Sequence, residues 1–253
     1  MSLPGAREAP WPPLTGASSE KRCYVLPMEP RARKVSIGRG EDVTALLYAA
    51  SRQGKLDQTL VLAHGAGAGQ KHPFMVACAE GLAARGVDVV TFNFLYTEIG
   101  KKSPDPEAVL EDCFRAVIAA TTDGGVPFLG GKSLGGRMAS HLASKGTAAR
   151  GLVLLSYPLH PPGKEDLRTK HFGGLAVPCL FVQGTRDPFG TPSELALHVK
   201  AIPGGARIVA VEGGDHSWEV PKRMGISDQE VIARAMDATV SWMRQTVAPP
   251  PAR

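Results

Sequence analysis

The 253-residue chain lacks several patterns that would assign it to common functional classes. It has no run of 18 or more apolar residues, so we expect no membrane-spanning helix and no membrane partner. No H-E-x-x-H or comparable ligand cluster occurs, and we expect no metal and no cofactor. The cysteines are widely separated and form no C-x-x-C pair, which argues against a zinc site and a disulfide framework. They are Cys23, Cys78, Cys113 and Cys179.

The sequence also lacks an extended basic pattern, despite a net charge of +5. Seven basic and three acidic residues fall within the first 39 positions, so four of the five net positive charges lie there. The rest of the chain is close to neutral and has no basic stripe that would follow a phosphate backbone. We therefore interpret the N-terminal charge as solvated and expect no nucleic-acid partner.

Both ends of the chain have the composition of flexible segments. Residues 1–20 are rich in Pro, Gly, Ala and Ser and lack the apolar stretch of a signal peptide, and residues 247–253 end in APPPAR. One domain, over residues 21–246, is enough to account for the remaining length. Dispersed cysteines without an export signal favour a cytoplasmic location.

Between these ends, short apolar runs rich in β-branched residues alternate with stretches of helical spacing. The predicted strands are KVSI, TALLYAA, TLVLAH, VDVVTFNF, VPFLGG, GLVLLSY, PCLFVQG and ARIVAV. The predicted helices lie within 73–85, 105–120, 135–145, 192–201 and 227–246. Two adjacent strands followed by strand–helix alternation predict an α/β protein. Its sheet is mostly parallel, with helices on both faces and an antiparallel edge at its start.

The segment FLGGKSLGGRMAS, at 128–140, contains a Gly-Lys-Ser that also ends the phosphate-binding loop of nucleotide hydrolases. The first glycine of that loop would stand at position 126, which is Val126 in a predicted strand. The other glycine-rich stretch, HGAGAGQKH at 64–72, has Gln70 where a dinucleotide-binding fingerprint needs its third glycine. Nucleotide binding therefore requires glycine spacings that neither stretch has.

The same segment also matches G-x-S-x-G, the turn that carries a serine nucleophile between a strand and a helix. Ser133 is flanked by Gly131 and Gly135, where a Cβ would collide with neighbouring backbone in so tight a turn. In this architecture an acid and then a histidine follow, each after a later strand. Asp187 follows PCLFVQG and His216 follows ARIVAV. Singly, Asp187 is interpreted as a turn or cap residue and His216 as a surface loop residue; their order and placement together favour a catalytic triad with Ser133.

A tetrahedral intermediate at Ser133 would need N–H donors for its developing negative charge. We expect one donor to be the amide of Leu134, at the start of the next helix. The other is expected from the loop HGAGAG after TLVLAH, with Ala66 the first choice and Gly67 the second. His64, in the same loop, is interpreted as a structural strand-end residue and not as a base.

Several stretches together resemble the α/β-hydrolase fold over residues 34–246. They are LAHGAGAG, FNFLYTEIGKKSPDP, GGKSLGGRMAS, SYPLHPPGK and FVQGTRDPFG. More narrowly, the chain is similar to dienelactone-hydrolase-like proteins and to a testis-expressed-type branch of predicted hydrolases, with a related domain in a nonspecific-lethal histone acetyltransferase subunit. The resemblance implies an eight-stranded sheet and supports Ser133, Asp187 and His216 as the triad. Dienelactone hydrolase itself has a cysteine nucleophile, so its substrate is not carried over.

Two connections bear on the substrate. Residues 157–177 are too few for a large lid where many relatives of this fold insert one, so an open site and a small-molecule ester or acyl substrate are expected. By their placement after strands, Tyr96, Leu159 and His160 are candidate substrate-binding residues, although a structural turn is the favoured interpretation of Leu159 and His160. Lys101 with Lys102 would suit an anionic substrate, but solvated loop charges are the commoner case. We predict a serine hydrolase that forms an acyl-enzyme. The alternative is a catalytically inactive hydrolase fold used as a binding or scaffold module. The sequence does not specify the oligomeric state.

Overall fold

A computed structural model describes residues 8–9, 29–38 and 40–247 of the chain. The strands are β1 (Glu8–Ala9), β2 (Arg31–Ser36), β3 (Asp42–Tyr48), β4 (Thr59–Ala63), β5 (Asp88–Phe92), β6 (Phe128–Lys132), β7 (Leu152–Leu155), β8 (Cys179–Gly184) and β9 (Ala206–Val211). The α-helices are α1 (Pro73–Ala83), α2 (Leu95–Glu98), α3 (Glu107–Thr121), α4 (Leu134–Ser144), α5 (Pro192–His198) and α6 (Asp228–Val247). Single 3₁₀ turns lie at Phe172–Gly174, Val199–Ala201 and Lys222–Met224.

The described strands form one sheet in the order β1-β9-β8-β7-β6-β4-β5-β3-β2. β3 pairs antiparallel with both β2 and β5, and every other pairing is parallel. This arrangement confirms the predicted mostly parallel sheet with an antiparallel edge at its start. Each predicted strand and helix is present, with ends that differ by a few residues.

Two short elements were not predicted. β1, of two residues, pairs in parallel with β9 at the edge of the sheet and extends the eight predicted strands to nine. α2, of four residues, follows β5 directly. The predicted flexibility of residues 1–20 and 247–253 falls almost entirely outside the described residues, apart from β1 and the last residue of α6, and it stays a prediction.

The strand sequences follow from their place in the sheet. β6, β7 and β8 are buried at every position, because helices cover both faces of the sheet at its centre. β2, at the antiparallel edge, is exposed at five of its six positions and includes Arg31, Arg33 and Lys34, which suits an edge that must not pair with another chain. A strand that is apolar along its whole length therefore indicates a central position in the sheet, and a strand with many charged residues indicates an edge.

Two apolar clusters hold the helices on opposite faces of the sheet. One joins α3, α4 and α5 to the sheet, and Phe114 of α3 is at its centre. The other joins α1 and α6, with Trp242 of α6 packed against Phe128 of β6 at a ring-centroid distance of 5.8 Å. The prediction of helices on both faces is confirmed.

The connection between β7 and β8, residues 156–178, forms no lid. Apart from the 3₁₀ turn at Phe172–Gly174 it is irregular, and it packs back onto the fold. Tyr157 and Phe172 are fully buried, and both rings contact Phe181 of β8. The carboxyl edge of the sheet is therefore left open, as predicted. Among residues 8–9, 29–38 and 40–247, no helix has the length and apolar character needed to cross a membrane.

The core of the α3 face provides a stability prediction. Phe114 is fully buried, with its ring centroid 4.9 Å from that of Phe92. Phe114→Ala should lower the free energy of unfolding by about 3–5 kcal/mol, because it removes this contact and leaves a cavity. Leu197→Ala is the control: Leu197 is 68% exposed, and its change should stay within about 0.5 kcal/mol. Urea denaturation measures both, and equal losses would contradict the assigned packing.

Candidate active site

The carboxyl ends of the parallel strands meet at one edge of the sheet, and the loops that leave them form the candidate site. β6 ends at Lys132 and is followed by Ser133, while β8 ends at Gly184, three residues before Asp187. β9 ends at Val211, five residues before His216. The topology therefore brings together side chains that are 54 and 29 residues apart in the sequence.

Ser133 lies in a sharp turn between β6 and α4. Its backbone has φ 51° and ψ −112°, a conformation that residues other than glycine rarely adopt. A Cβ on Gly131 would lie 2.4 Å from the carbonyl carbon of Gly135, and a Cβ on Gly135 would lie 2.3 Å from the carbonyl oxygen of Ala63. Both positions therefore require glycine, for the reason expected from the motif. The turn presents the Ser133 hydroxyl above the sheet edge.

Ser133, His216 and Asp187 form one hydrogen-bonded series. His216 Nε2 lies 3.0 Å from Ser133 Oγ, and His216 Nδ1 lies 2.8 Å from Asp187 Oδ2 and 3.0 Å from Asp187 Oδ1. An ionised carboxylate only accepts, so Nδ1 carries the proton and donates to Asp187. Nε2 is then free to accept the proton of the Ser133 hydroxyl. Chemically, this arrangement can convert a serine hydroxyl into a nucleophile.

Asp187 is held by contacts that the sequence analysis did not identify. Gln183 Nε2 donates to Asp187 Oδ2 at 2.8 Å, and the Phe189 amide donates to Asp187 Oδ1 at 2.9 Å. Gln183 is fully buried and also binds the backbone of Tyr157 and Gly190. The available signal was a glutamine within the otherwise apolar strand PCLFVQG, where a polar side chain needs buried partners.

Two groups contact His216 in addition to Ser133 and Asp187. The Phe189 ring lies 4.3 Å from the imidazole, centroid to centroid. Lys132 Nζ donates to the His216 carbonyl oxygen at 2.6 Å. In the sequence, Lys132 stands out only as part of a phosphate-loop motif. Its contact with a residue 84 positions away has no local signature.

The two amides expected to receive an oxyanion belong to segments that adjoin Ser133 in sequence or in space. Leu134 is the first residue of α4, where amide N–H groups have no partner within the helix and the helix dipole favours negative charge. The loop after β4 passes on the other side: a Cβ built on Gly65 would lie 3.5 Å from Ser133 Cβ. Ala66 follows in that loop and is exposed, and Gly67 has φ 73°. The loop geometry is thus compatible with the expected donors.

His64 is a structural residue, as the sequence analysis favours. It is fully buried, its Nδ1 lies 2.8 Å from the Gly65 carbonyl oxygen, and its Nε2 accepts from the Phe94 amide at 3.2 Å. With both ring nitrogens bound to backbone, the side chain cannot serve as a base for Ser133. Burial lowers the pKa of His64 to about 4, so the ring is neutral at pH 7.

The candidate substrate-binding residues lie at different depths. Tyr96, in α2, is buried, and its hydroxyl has no hydrogen-bond partner among the described residues. Leu159 is also buried, against Gly190. His160 is partly exposed, and its amide donates to the carbonyl of Phe189, the residue whose ring contacts His216. Of the three, only His160 is partly exposed, and their role in binding stays a prediction.

The cysteines of the described chain are free and buried. Burial raises the pKa of Cys78, Cys113 and Cys179 to about 12, so each is a protonated thiol at neutral pH and unsuited to nucleophilic attack. Cys23 lies outside the described residues. None of these three cysteines is therefore a candidate to replace Ser133 as a nucleophile.

One group of acidic and histidine side chains within the described residues has ligand-like spacing. Atoms of Glu107, Glu111 and His141 lie within 4.8 Å of one another, between α3 and α4. Lys145 Nζ already lies 2.6 Å from Glu111 Oε1, and Arg137 lies 3.3 Å from Glu107. Since cationic side chains pair with both carboxylates, we interpret the group as an ion-pair network that joins two helices.

The elbow provides a prediction about folding. Gly135→Ala should lower the free energy of unfolding by about 2 kcal/mol or more, because the new Cβ would overlap the Ala63 carbonyl oxygen. Gly173→Ala is the matched control, since a Cβ there meets nothing within 4 Å. Thermal unfolding measures both variants. Equal melting temperatures for the two would show that the turn tolerates a side chain.

His64 provides a prediction about pH. The folded-state pKa of about 4 lies below the ordinary value of 6.5, so the unfolded state binds more protons between these pH values. Stability from this group is complete above pH 6.5 and falls as the pH drops from 6.5 to 4, by up to about 1.4 kcal/mol per pH unit. Urea denaturation at pH 7, 6 and 5 should show a smaller acid loss in His64→Gln than in the wild type. Equal losses would refute the assignment.

Comparison with known proteins gives a family match and a set of similar folds. The family model described as an alpha/beta hydrolase domain matches residues 56–244. The esterase Est1E from Butyrivibrio proteoclasticus is 14% identical with a TM-score of 0.67, covering 86% of this chain and 99% of its own. A serine hydrolase without a lid from Xanthomonas campestris is 19% identical with a TM-score of 0.65, covering 88% and 98%. Dienelactone hydrolase from Anabaena variabilis is 16% identical with a TM-score of 0.66, covering 86% and 99%.

These structural similarities, all at or below 19% identity, establish the fold alone. The family model extends from just before β4 into α6 and so includes every strand end that forms the candidate site. The chain therefore belongs to the alpha/beta hydrolase domain family.

Proposed function

We propose that the protein is a serine hydrolase that cleaves an ester or related acyl bond of a small molecule. The observation that carries this proposal is the placement of His216, which hydrogen-bonds Ser133 through Nε2 and Asp187 through Nδ1. Membership in the hydrolase family adds support. A carboxylic ester is the preferred substrate class, since an open sheet edge with a serine nucleophile suits it.

In the proposed acylation step, Ser133 Oγ attacks the carbonyl carbon of the substrate while its proton passes to His216 Nε2. Asp187 stabilises the imidazolium that forms. The amides of Leu134 and Ala66 donate to the oxyanion of the tetrahedral intermediate. The imidazolium then gives its proton to the leaving-group oxygen, the bond from that oxygen to the carbonyl carbon breaks, and an acyl-enzyme remains on Ser133.

Deacylation would repeat these roles with water. A water molecule loses a proton to His216 Nε2 as its oxygen attacks the acyl carbon. The second tetrahedral intermediate collapses, the bond to Ser133 Oγ breaks, and Oγ takes the proton back from the imidazolium. The products are an alcohol, released in the first step, and a carboxylic acid. No metal or other cofactor takes part in this scheme.

An open cavity of about 590 Å³ lies on the side of His160 and is a candidate for the part of a small-molecule substrate away from the reacting bond. Its lining is His160, Gly163, Lys164, Glu165, Leu167 and Glu194, and does not include Ser133, Asp187 or His216. His160 connects this cavity to Phe189 and hence to His216. Lys101 and Lys102 are exposed after α2 and would suit a negative charge on the substrate. We propose a cytoplasmic location and no nucleic-acid or membrane partner.

A fluorophosphonate probe tests the proposal, because it reacts covalently with activated serines. We expect labelling at Ser133, located by peptide mapping, and none in Ser133→Ala. In His216→Ala the second-order labelling rate should fall by about 10³-fold or more, since the proton acceptor is lost. Asp187→Asn should also lower the rate strongly, because it removes the group that orients the imidazole.

Ser217→Ala is the matched control, since Ser217 is an exposed serine next to His216 in the same loop. It should label at the wild-type rate. Absence of labelling in folded wild-type protein would overturn the proposed activity and favour a binding or scaffold role for the fold. Labelled protein can then be taken to a panel of p-nitrophenyl esters of increasing acyl length.

A further inference from the structure

A buried lysine stands directly before the candidate nucleophile. Lys132 is the last residue of β6 and is 9% exposed. Its Nζ donates to the His216 carbonyl oxygen at 2.6 Å and lies 4.9 Å from the centre of the Phe74 ring. Among the side chains of residues 29–38 and 40–247, no carboxylate oxygen comes within 4.0 Å of this ammonium. The His216 backbone is thus its one direct hydrogen-bond partner in that part of the chain.

Packing alone does not require an ammonium at this place. Taking a cation out of water is unfavourable unless it is paired, and a methionine would fill similar space without that cost. The burial is reflected in the pKa of Lys132, which desolvation lowers to about 8, while the charges of Asp187 and Asp215 raise it. Lys132 is therefore still mostly protonated at pH 7.

The loop that carries His216 needs contacts with the rest of the protein to hold its conformation. Trp218 has φ 64°, an unfavourable conformation for a bulky residue, and its buried ring packs 4.8 Å from Phe74, centroid to centroid. Asp215 accepts hydrogen bonds from the amides of Ser217 and Glu219, which fixes the turn locally. Neither contact acts on His216 itself. The Lys132 contact does, and it comes from the residue next to Ser133, so it links the two reacting side chains through a short path.

We propose that Lys132 is a positioning residue that holds His216 at hydrogen-bond distance from Ser133. The inference rests on the proposed serine hydrolase. The hydrogen bond from the Lys132 ammonium to the His216 carbonyl oxygen sets the position of the loop, and the loop in turn places the imidazole between Ser133 and Asp187.

The test compares Lys132→Met, Lys132→Arg and Lys200→Met. Methionine keeps the length and removes charge and donor, whereas arginine keeps both. Lys200 is an exposed lysine that precedes the amino end of β9, at the opposite edge of the sheet from the site. Fluorophosphonate labelling rates are measured at pH 7, and the NMR resonance of the His216 Nδ1 proton, which lies in the hydrogen bond to Asp187, is recorded in each folded protein.

In Lys132→Met we expect the labelling rate at pH 7 to fall about tenfold or more, which corresponds to about 1.4 kcal/mol. The resonance of the His216 Nδ1 proton should shift or broaden, because the loop no longer holds the imidazole against Asp187. Lys132→Arg keeps a donor for the His216 carbonyl oxygen and should recover most of the rate and the wild-type resonance, and Lys200→Met should match the wild type in both. If Lys132→Met does not fold, Lys132→Leu takes its place with the same expectations.

A folded Lys132→Met with the wild-type rate and the wild-type His216 resonance would overturn the inference. A lower rate with an unchanged resonance, not recovered by arginine, would reduce Lys132 to a packing role and would also overturn it. Failure of the proposed function is distinguishable, because the wild type would then not be labelled at all. The His216 resonance does not depend on labelling and would still test the effect of Lys132 on His216.

Discussion

The close approach of three backbone segments, the end of β4, the end of β6 and the start of α4, is the constraint on which the site depends. Gly131 and Gly135 allow it, since a Cβ at either would overlap backbone at 2.4 Å or less. The same approach imposes positive φ on Ser133 and brings the loop at Gly65 beside it. One steric condition thus places the hydroxyl, the start of α4 and the loop after β4 around a single small space.

Two central strands, β6 and β8, each carry one polar side chain in an otherwise apolar sequence. Gln183 binds Asp187, and Lys132 binds the backbone of His216. A buried polar group without a partner costs about 1–3 kcal/mol, so each of these side chains has few acceptable positions. The requirement to satisfy them restricts the loops after β8 and β9 as firmly as the glycines restrict the turn after β6. Steric contacts therefore fix Ser133, whereas hydrogen bonds from buried side chains fix Asp187 and His216.

The sequence allowed much of this arrangement to be predicted, for identifiable reasons. Fully buried parallel strands must be apolar along their whole length, so a run such as GLVLLSY predicts a strand without knowledge of its neighbours. The strand–turn–helix context of Ser133 is also local and can be recognised in the sequence. The roles of Gln183 and Lys132 depend on residues up to 84 positions away, and no local pattern encodes such contacts. β1 could not be predicted because two residues show no periodicity. α2 could not be predicted because four residues that follow a strand have the pattern of a loop.

The division between buried and exposed groups has a consequence for the proposed activity. Ser133, His216 and Asp187 are held by buried neighbours from β6 and β8, which belong to the rigid centre of the sheet, so reaction type would be set by the core. The segment 160–167 and the exposed lysines after α2 have few such contacts and lie on the open edge. Because no lid covers that edge, selection among acyl substrates would fall to these surface connections. Substitutions there would then alter which ester is cleaved while leaving the nucleophile intact, whereas changes beneath the site would alter the rate for every substrate alike.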